Sequence, residues 1–259
     1  MKNLIDNKAL MNSRFQISKM HRIIRLKLLK LFAPPHPTWQ SRRSRNRVLQ
    51  FLQNERVRSS DGMQLNLGSG SRRFGKEILN LDLLAGEEVD VQGNLLHLPV
   101  KDMSVDTIVC TGVLEHVSDP YLAVKELYRI LKFGGRVFLE TPFMQTVHVS
   151  PRDFYRWTPD GLRQLMNSFD ILELRVVAGP ASALAWQFQE TMAMLFSMNN
   201  EILYKIGLRI FGWLAIPVSW LDILLEKNQM AWHAASGFAL VAVKNPTRIE
   251  ERGKNIAGH

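Results

Sequence analysis

Met63 to Ser71 reads MQLNLGSGS, a short apolar run that stops abruptly in two glycines and two serines. A buried strand is built from apolar, strand-favouring residues, and glycine and serine give it little to pack. A strand followed by Gly-x-Gly lets the backbone turn tightly and approach a ligand with no Cβ in the way. Alone, the pattern fits a plain tight turn as well. The next segment narrows it. Ile78–Leu83, ILNLDL, reads as a second apolar strand with Asp82 at its end. In an open parallel sheet, ligands bind outside the carboxyl ends of the strands. An acid there can accept hydrogen bonds from two ribose hydroxyls; its bland role is to cap or turn the chain. In a nicotinamide-binding unit the acid lies about 20 residues further on, after a full crossover helix. Here Asp82 is 12 positions beyond Gly70, so the crossover holds little helix.

From Met63 to about Ala178, short apolar runs alternate with turns and helical stretches. The expected strands are Met63–Leu67, Ile78–Leu83, Val89–Val91, Asp106–Thr111, Arg136–Glu140 and Ile171–Val177, with a last one at Phe238–Val243. Asp119 and Pro120 mark a helix start, as N-cap and first-turn proline. Alternating strands and helices predict an α/β fold: a Rossmann-like, mostly parallel, seven-stranded sheet with helices on both faces. Residues 180–235 form an apolar, Met- and Trp-rich insertion before the last strand. Its uncharged run, Ile210–Leu221, is 12 residues long and contains Pro217. A spanning helix needs about 20 residues, so helices packed over the sheet or lying on a membrane are expected. Residues 61–245 are read as the main domain and 246–259 as a polar tail.

The charge is uneven. Residues 1–60 hold 14 Lys and Arg against two Asp and Glu, and the rest of the chain is slightly acidic. This basic arm contains an expected amphipathic helix, Ile17–Phe32, with Ile17, Met20, Ile24, Leu28 and Leu31 on one face, ended by Pro34 and Pro35. It reads as a solvated helix on the body or, through residues 14–47, as a contact to an anionic membrane surface. Nucleic acid is disfavoured, because no aromatic residues alternate with the charges. The single cysteine, Cys110, excludes an internal disulfide. Lys19, Arg22, Arg25, Lys27 and Lys30 break any signal-peptide core. A cytoplasmic chain, at most peripheral to a membrane, is the expectation.

Further motifs follow in order: NLLHLPVKDMSVD at 94–106, VLEHV at 113–117 and ELYRILKFGG at 126–135. With LNLGSGS and LNLD they make the chain, from Met63 to about Phe169, resemble class I S-adenosylmethionine-dependent methyltransferases, in particular those with a methyltransferase type 11 domain. The resemblance implies S-adenosyl-L-methionine as cofactor. It implies that Gly68, Ser69 and Gly70 form the loop under its methionine part, that Asp82 binds the ribose, and that Asn94 and Leu95 meet the adenine. Asn66 stands where many members have an acid, and Thr111 and Gly112 lie beside the reactive sulfonium.

His116, next to Glu115, is the first candidate for a base, histidine being the commonest general base in catalysis; its bland role is a bond to a nearby loop backbone. A second cluster, HVSPRDFYRWT at 148–158, offers His148 as a further acid–base group and Tyr155, Arg156 and Trp157 for an acceptor. Its other reading is a loop that caps the next helix, with Thr158 as N-cap. No zinc-ligand spacing or serine elbow occurs, and the histidines are scattered along the sequence, so no metal is expected. The expected function is methyl transfer to a small-molecule or lipid-linked acceptor. The alternatives are a membrane-associated adaptor that keeps the fold without catalysis, and a nicotinamide-dependent oxidoreductase.

Overall fold

A computed structural model of the chain describes residues 40–59, 61–148 and 152–246, with the side chains of 40–43 excepted. The expected helix at 17–32 and the tail beyond 246 lie outside the described residues. Seven strands form one sheet: β1 (Gln64–Leu67), β2 (Leu79–Asp82), β3 (Val91–Gln92), β4 (Val105–Thr111), β5 (Leu131–Pro142), β6 (Asp170–Ala178) and β7 (Gly237–Val243), in the order β3-β2-β1-β4-β5-β7-β6. The first five run parallel, and β7 is antiparallel to both its neighbours. The expected sheet is therefore present. The β1–β2 connection contains turns and no helix, as its short spacing requires.

Both sheet faces are covered. On one side α2 (Pro120–Ile130) and α3 (Pro159–Leu165) bury Leu127, Ile130 and Leu162 against Leu65, Leu67 and Ile108. Asp119 caps α2 by accepting from Leu122 N at 2.9 Å, and Thr158 caps α3 by accepting from Gly161 N at 3.1 Å. On the other side lies α1 (Gln40–Arg58), whose Val48, Phe51 and Leu52 pack on Ile78, Val109 and Phe138. The reading of residues 1–60 as an arm thus stops short: its last third is a covering helix. Glu55, buried on α1, pairs with Arg136 of β5 at 3.0 Å.

The insertion is a helical hairpin, α4 (Pro180–Ser197) and α5 (Glu201–Trp220), followed by a single turn, α6 (Asp222–Leu225). Its root is locked by Asp222. This buried carboxylate accepts from Ala181 N at 2.8 Å and Ser182 N at 2.9 Å, so it caps α4 from across the hairpin. Gly179, the residue before α4, has no side chain to do so.

Candidate functional site

β1 ends at Leu67, and the chain folds back over the end of β2. Gly68 N donates to Leu81 O at 2.8 Å, and Gly70 N donates to Asp82 Oδ2 at 2.8 Å. Both glycines are left-handed, with φ of +62° and +52°. A Cβ at Gly68 would stand 2.3 Å from Val113 Cγ2, so this position needs glycine for space as well as conformation. Asp82 Oδ1 also accepts from Leu84 N at 2.9 Å. Each oxygen of Asp82 keeps a second lone pair for a ligand.

The loop, the ends of β2 and β4, and the segments around 94 and 116 enclose a cleft of about 720 Å³. Gly68, Ser69, Gly70, Asp82, Asn94, Leu95, Thr111, Gly112 and His116 all line it, as expected. Asn94 is partly occupied, because its Oδ1 accepts from Leu96 N at 2.9 Å in a tight turn. Asn66 is a correction. It is buried behind the loop, where its Nδ2 donates to Arg72 O at 3.1 Å and to Asn80 Oδ1 at 3.0 Å, so it braces the loop rather than facing the cleft.

Tyr155, Arg156 and Trp157 are also absent from the cleft lining. Trp157 is buried in the core. Tyr155 stacks on it, with ring centroids 5.6 Å apart, and donates to Ser118 O at 3.1 Å. Arg156 grips both oxygens of Asp153, at 2.5 and 2.6 Å, and donates to Thr146 O at 3.0 Å. That guanidinium holds the Asp153 carboxyl down to about 2. These three residues lie outside the cleft lining and shape the loop beside it. Arg72, Arg152 and Phe154 line the cleft instead. None of the three stands at a strand end or in a glycine motif, which is why the sequence did not single them out.

The scattered histidines converge. His116 and His148 meet edge to face, their ring centroids 5.3 Å apart. His116 Nδ1 lies 2.5 Å from Arg152 O, and His148 Nδ1 lies 3.2 Å from Thr146 O, with Arg156 Nη2 at 3.4 Å. Carbonyl oxygens only accept, so His116 Nδ1 carries a proton, whereas His148 Nδ1 stands between an acceptor, Thr146 O, and a donor, Arg156 Nη2. The Nε2 atoms of both rings face Glu115 Oε1, at 3.9 and 3.8 Å. Glu115 is buried, and its Oε2 finds no hydrogen-bond partner among the described residues. The nearby carboxylate of Glu115 raises the His148 pKa above its ordinary value, with a smaller contribution from the Thr146 carbonyl, against the lowering by burial. The ligand atoms of Glu115, His116 and His148 lie within 4.8 Å of one another, a spacing a cation could bridge. The two histidines, 32 positions apart in sequence, are thus neighbours in the fold.

A glycine loop under an acid-tipped second strand, on this sheet, is the frame on which residues 56–139 match the methyltransferase domain family. That segment is similar to the methyltransferase domain family. Over 94 residues the chain is 36% identical to a tRNA U34 carboxymethyltransferase of Campylobacter fetus, covering 30% of this chain and 33% of that one. Over 74 residues it is 34% identical to a ubiquinone/menaquinone biosynthesis C-methyltransferase of Haemophilus ducreyi, covering 29% of each. The chain thus spans about a third of the length of these curated relatives. A crystal structure of geranyl diphosphate C-methyltransferase from Streptomyces coelicolor, with Mg2+, geranyl diphosphate and S-adenosyl-L-homocysteine, superposes with a TM-score of 0.47 at 14% identity, over 77% of this chain and 78% of that one.

The cleft's own chemistry fits S-adenosyl-L-methionine. Asp82 has lone pairs to spare for ribose hydroxyls. Leu83, Leu84 and Leu95 give an apolar wall for a purine. The buried hydroxyl of Ser69 has no hydrogen-bond partner among the described residues, and Arg72 brings a cation to answer a carboxylate.

Proposed function

We propose that this chain is an S-adenosyl-L-methionine-dependent methyltransferase acting on a small or lipid-linked acceptor that loses a proton as it is methylated. The observation that carries this reading is the junction of the cleft with the Glu115–His116–His148 cluster. When bound, S-adenosyl-L-methionine supplies a methyl group already activated on a cationic sulfur. The chain's residues then have two tasks, to align the acceptor and to exclude water. Phe154, whose N donates to Glu115 O at 2.7 Å, gives the cleft an exposed apolar rim next to the histidine cluster. His116, which lines the cleft, and His148 beside it are the candidate bases for the acceptor's proton, and Glu115 stabilises the imidazolium that results. A base of this kind contributes roughly 10²–10⁴-fold. The Campylobacter relative is named for a tRNA substrate; the apolar rim favours a smaller or lipid-borne acceptor here.

Calorimetric titration of S-adenosyl-L-homocysteine tests the reading. Micromolar binding, about −8 kcal/mol, that is lost in Asp82→Ala supports it. A wild-type chain that does not bind would favour the non-catalytic adaptor. Activity unaffected by EDTA supports the histidines as base, and its loss would reassign them as cation ligands.

A further inference from the structure

In a water-soluble helical pair, large apolar side chains turn inward and polar ones outward. The α4–α5 hairpin is built the other way round. Its helices meet closely through small residues, Ala193 and Ser197 on α4 and Gly207, Gly212, Ala215 and Ser219 on α5, all buried, with Phe188 and Phe196 of α4 packing edge to face on Phe211 of α5. A Cβ at Gly207 would lie 3.0 Å from Ala193 Cα, so the two backbones are nearly in contact. Such close, small-residue packing is how helices associate when water is not driving them together.

The large apolar side chains face out. On α5 and the turn after it, Ile202, Ile206, Ile210, Trp213, Trp220 and Leu224 recur at helical spacing and are exposed. Leu184, Phe188 and Leu195 form the matching stripe on α4. Glu201–Leu225 is long and apolar enough to cross a membrane, yet only 22% of its apolar window is buried, whereas a core helix of a soluble protein would be mostly buried. So much contiguous apolar surface marks an interaction face.

We propose that this hairpin docks the chain on an anionic lipid bilayer, lying along the surface with its outer stripe at the boundary between headgroups and acyl chains. Glu190, Glu201, Lys205 and Arg209 argue for lying rather than crossing, since charges are costly in the hydrocarbon core. Trp213 and Trp220 are the residue type that settles at that boundary. The charge of the chain selects the lipid. The first half of α1 adjoins the hairpin root, where Arg47 pairs with Glu226 at 3.5 Å and joins Arg175 and Lys227 around a groove of about 650 Å³. Residues 1–39, which lead into this end of α1, contain eight Lys and Arg and one Asp. A second copy of the chain would bring an equal positive charge; an anionic bilayer complements both the apolar face and the basic segment. The hairpin root also touches the catalytic cluster, because Trp186 of α4 lies 5.8 Å from His148, ring to ring. Docking would therefore bring a lipid-linked acceptor beside His148. That last consequence rests on the transfer reading; the docking does not.

The test uses the full chain with phosphatidylglycerol–phosphatidylcholine vesicles and with phosphatidylcholine alone. Flotation with the anionic vesicles and quenching of tryptophan fluorescence by acyl-brominated lipid are expected. The quenching should be lost in W213F/W220F. The exposed double variant I206Q/I210Q should bind these vesicles at least ~10-fold more weakly, with unchanged affinity for S-adenosyl-L-homocysteine. Wild-type vesicle affinity in I206Q/I210Q, or quenching that persists in W213F/W220F, would overturn the proposal. Equal binding to neutral vesicles would remove its anionic part. A dimer in sedimentation that I206Q/I210Q disperses, without vesicle binding by the wild type, would hand the face to a second copy. A wild type that binds vesicles but not S-adenosyl-L-homocysteine would end the transfer reading and leave the docking intact.

Discussion

Two glycines two residues apart in one loop should respond differently to the same methyl group. Gly68 and Gly70 share a left-handed conformation, at φ of +62° and +52°. An L-residue there costs about 1–2 kcal/mol. At Gly70 nothing lies within 4 Å of the added Cβ, so the conformational cost is the whole cost. At Gly68 the Cβ would meet Val113 Cγ2 at 2.3 Å and Cγ1 at 2.8 Å. Forcing a methyl into packed side chains adds about 1–3 kcal/mol. Gly68→Ala should therefore destabilise the fold by about 2–5 kcal/mol, and Gly70→Ala by about 1–2. At roughly 2–4 °C per kcal/mol for a domain of this size, Gly68→Ala loses about 4–20 °C in Tm and Gly70→Ala about 2–8 °C. Differential scanning fluorimetry of both proteins, with and without S-adenosyl-L-homocysteine, reads the difference. Because Val113 lines the cleft, Gly68→Ala should also lose the larger share of the ligand-induced rise in Tm. Equal losses for the two variants would refute the steric argument, and a Gly68→Ala protein as stable as the wild type would refute the loop geometry itself.

Other outcomes follow from the site. Gln at His116 or His148 should lower kcat by roughly 10²–10⁴-fold with little change in S-adenosyl-L-homocysteine affinity by calorimetry; a drop confined to that affinity would contradict a base role. Because Glu115 raises the His148 pKa above the ordinary 6.5, the neutral base is regained only above that value, so the rising limb of a kcat–pH profile should lie there. In Glu115→Gln the limb should move to lower pH, and an unmoved limb would dissociate His148 from it. The same sign means that the pair stabilises the fold at pH below the ordinary histidine value and loses that contribution as pH rises through the raised one. Arg156→Lys should loosen the 146–156 loop, because one ammonium cannot grip both Asp153 oxygens and Thr146 O together; faster amide exchange across the loop checks this.

The sheet was legible because its strands are short apolar runs cut by glycine, proline and polar turns, and Asp82 was legible because an acid at a strand end has few reasons to be there. Helix α1 was not. Val48, Phe51, Leu52 and Glu55 follow helical spacing, but the arginines around them make the segment read as a solvated arm. The capping role of Asp222 was not legible either, since nothing in sequence connects it to amides some 40 residues earlier. Trp157 and Arg156 misled for a related reason. Aromatic and cationic groups in a loop suit a ligand, and only the fold reveals that one fills the core and the other spends its donors on Asp153 and Thr146. The pairing of His116 with His148 depends on two loops returning to the same sheet edge, which periodicity does not encode.

The place of β7 sets an order of events during synthesis. Among the described residues, β6 pairs only with β7, and β7 is the last strand. After β6 leaves the ribosome, residues 179–236 must be made before its ladder partner exists. That takes roughly 3–12 s at about 5–20 residues per second. During that interval β5 presents an unpaired edge, β6 has no partner, and the apolar hairpin between them has already emerged. The nascent chain therefore offers its least water-compatible surface while its sheet is still open. Completion of the last seven-residue strand closes both edges in one step.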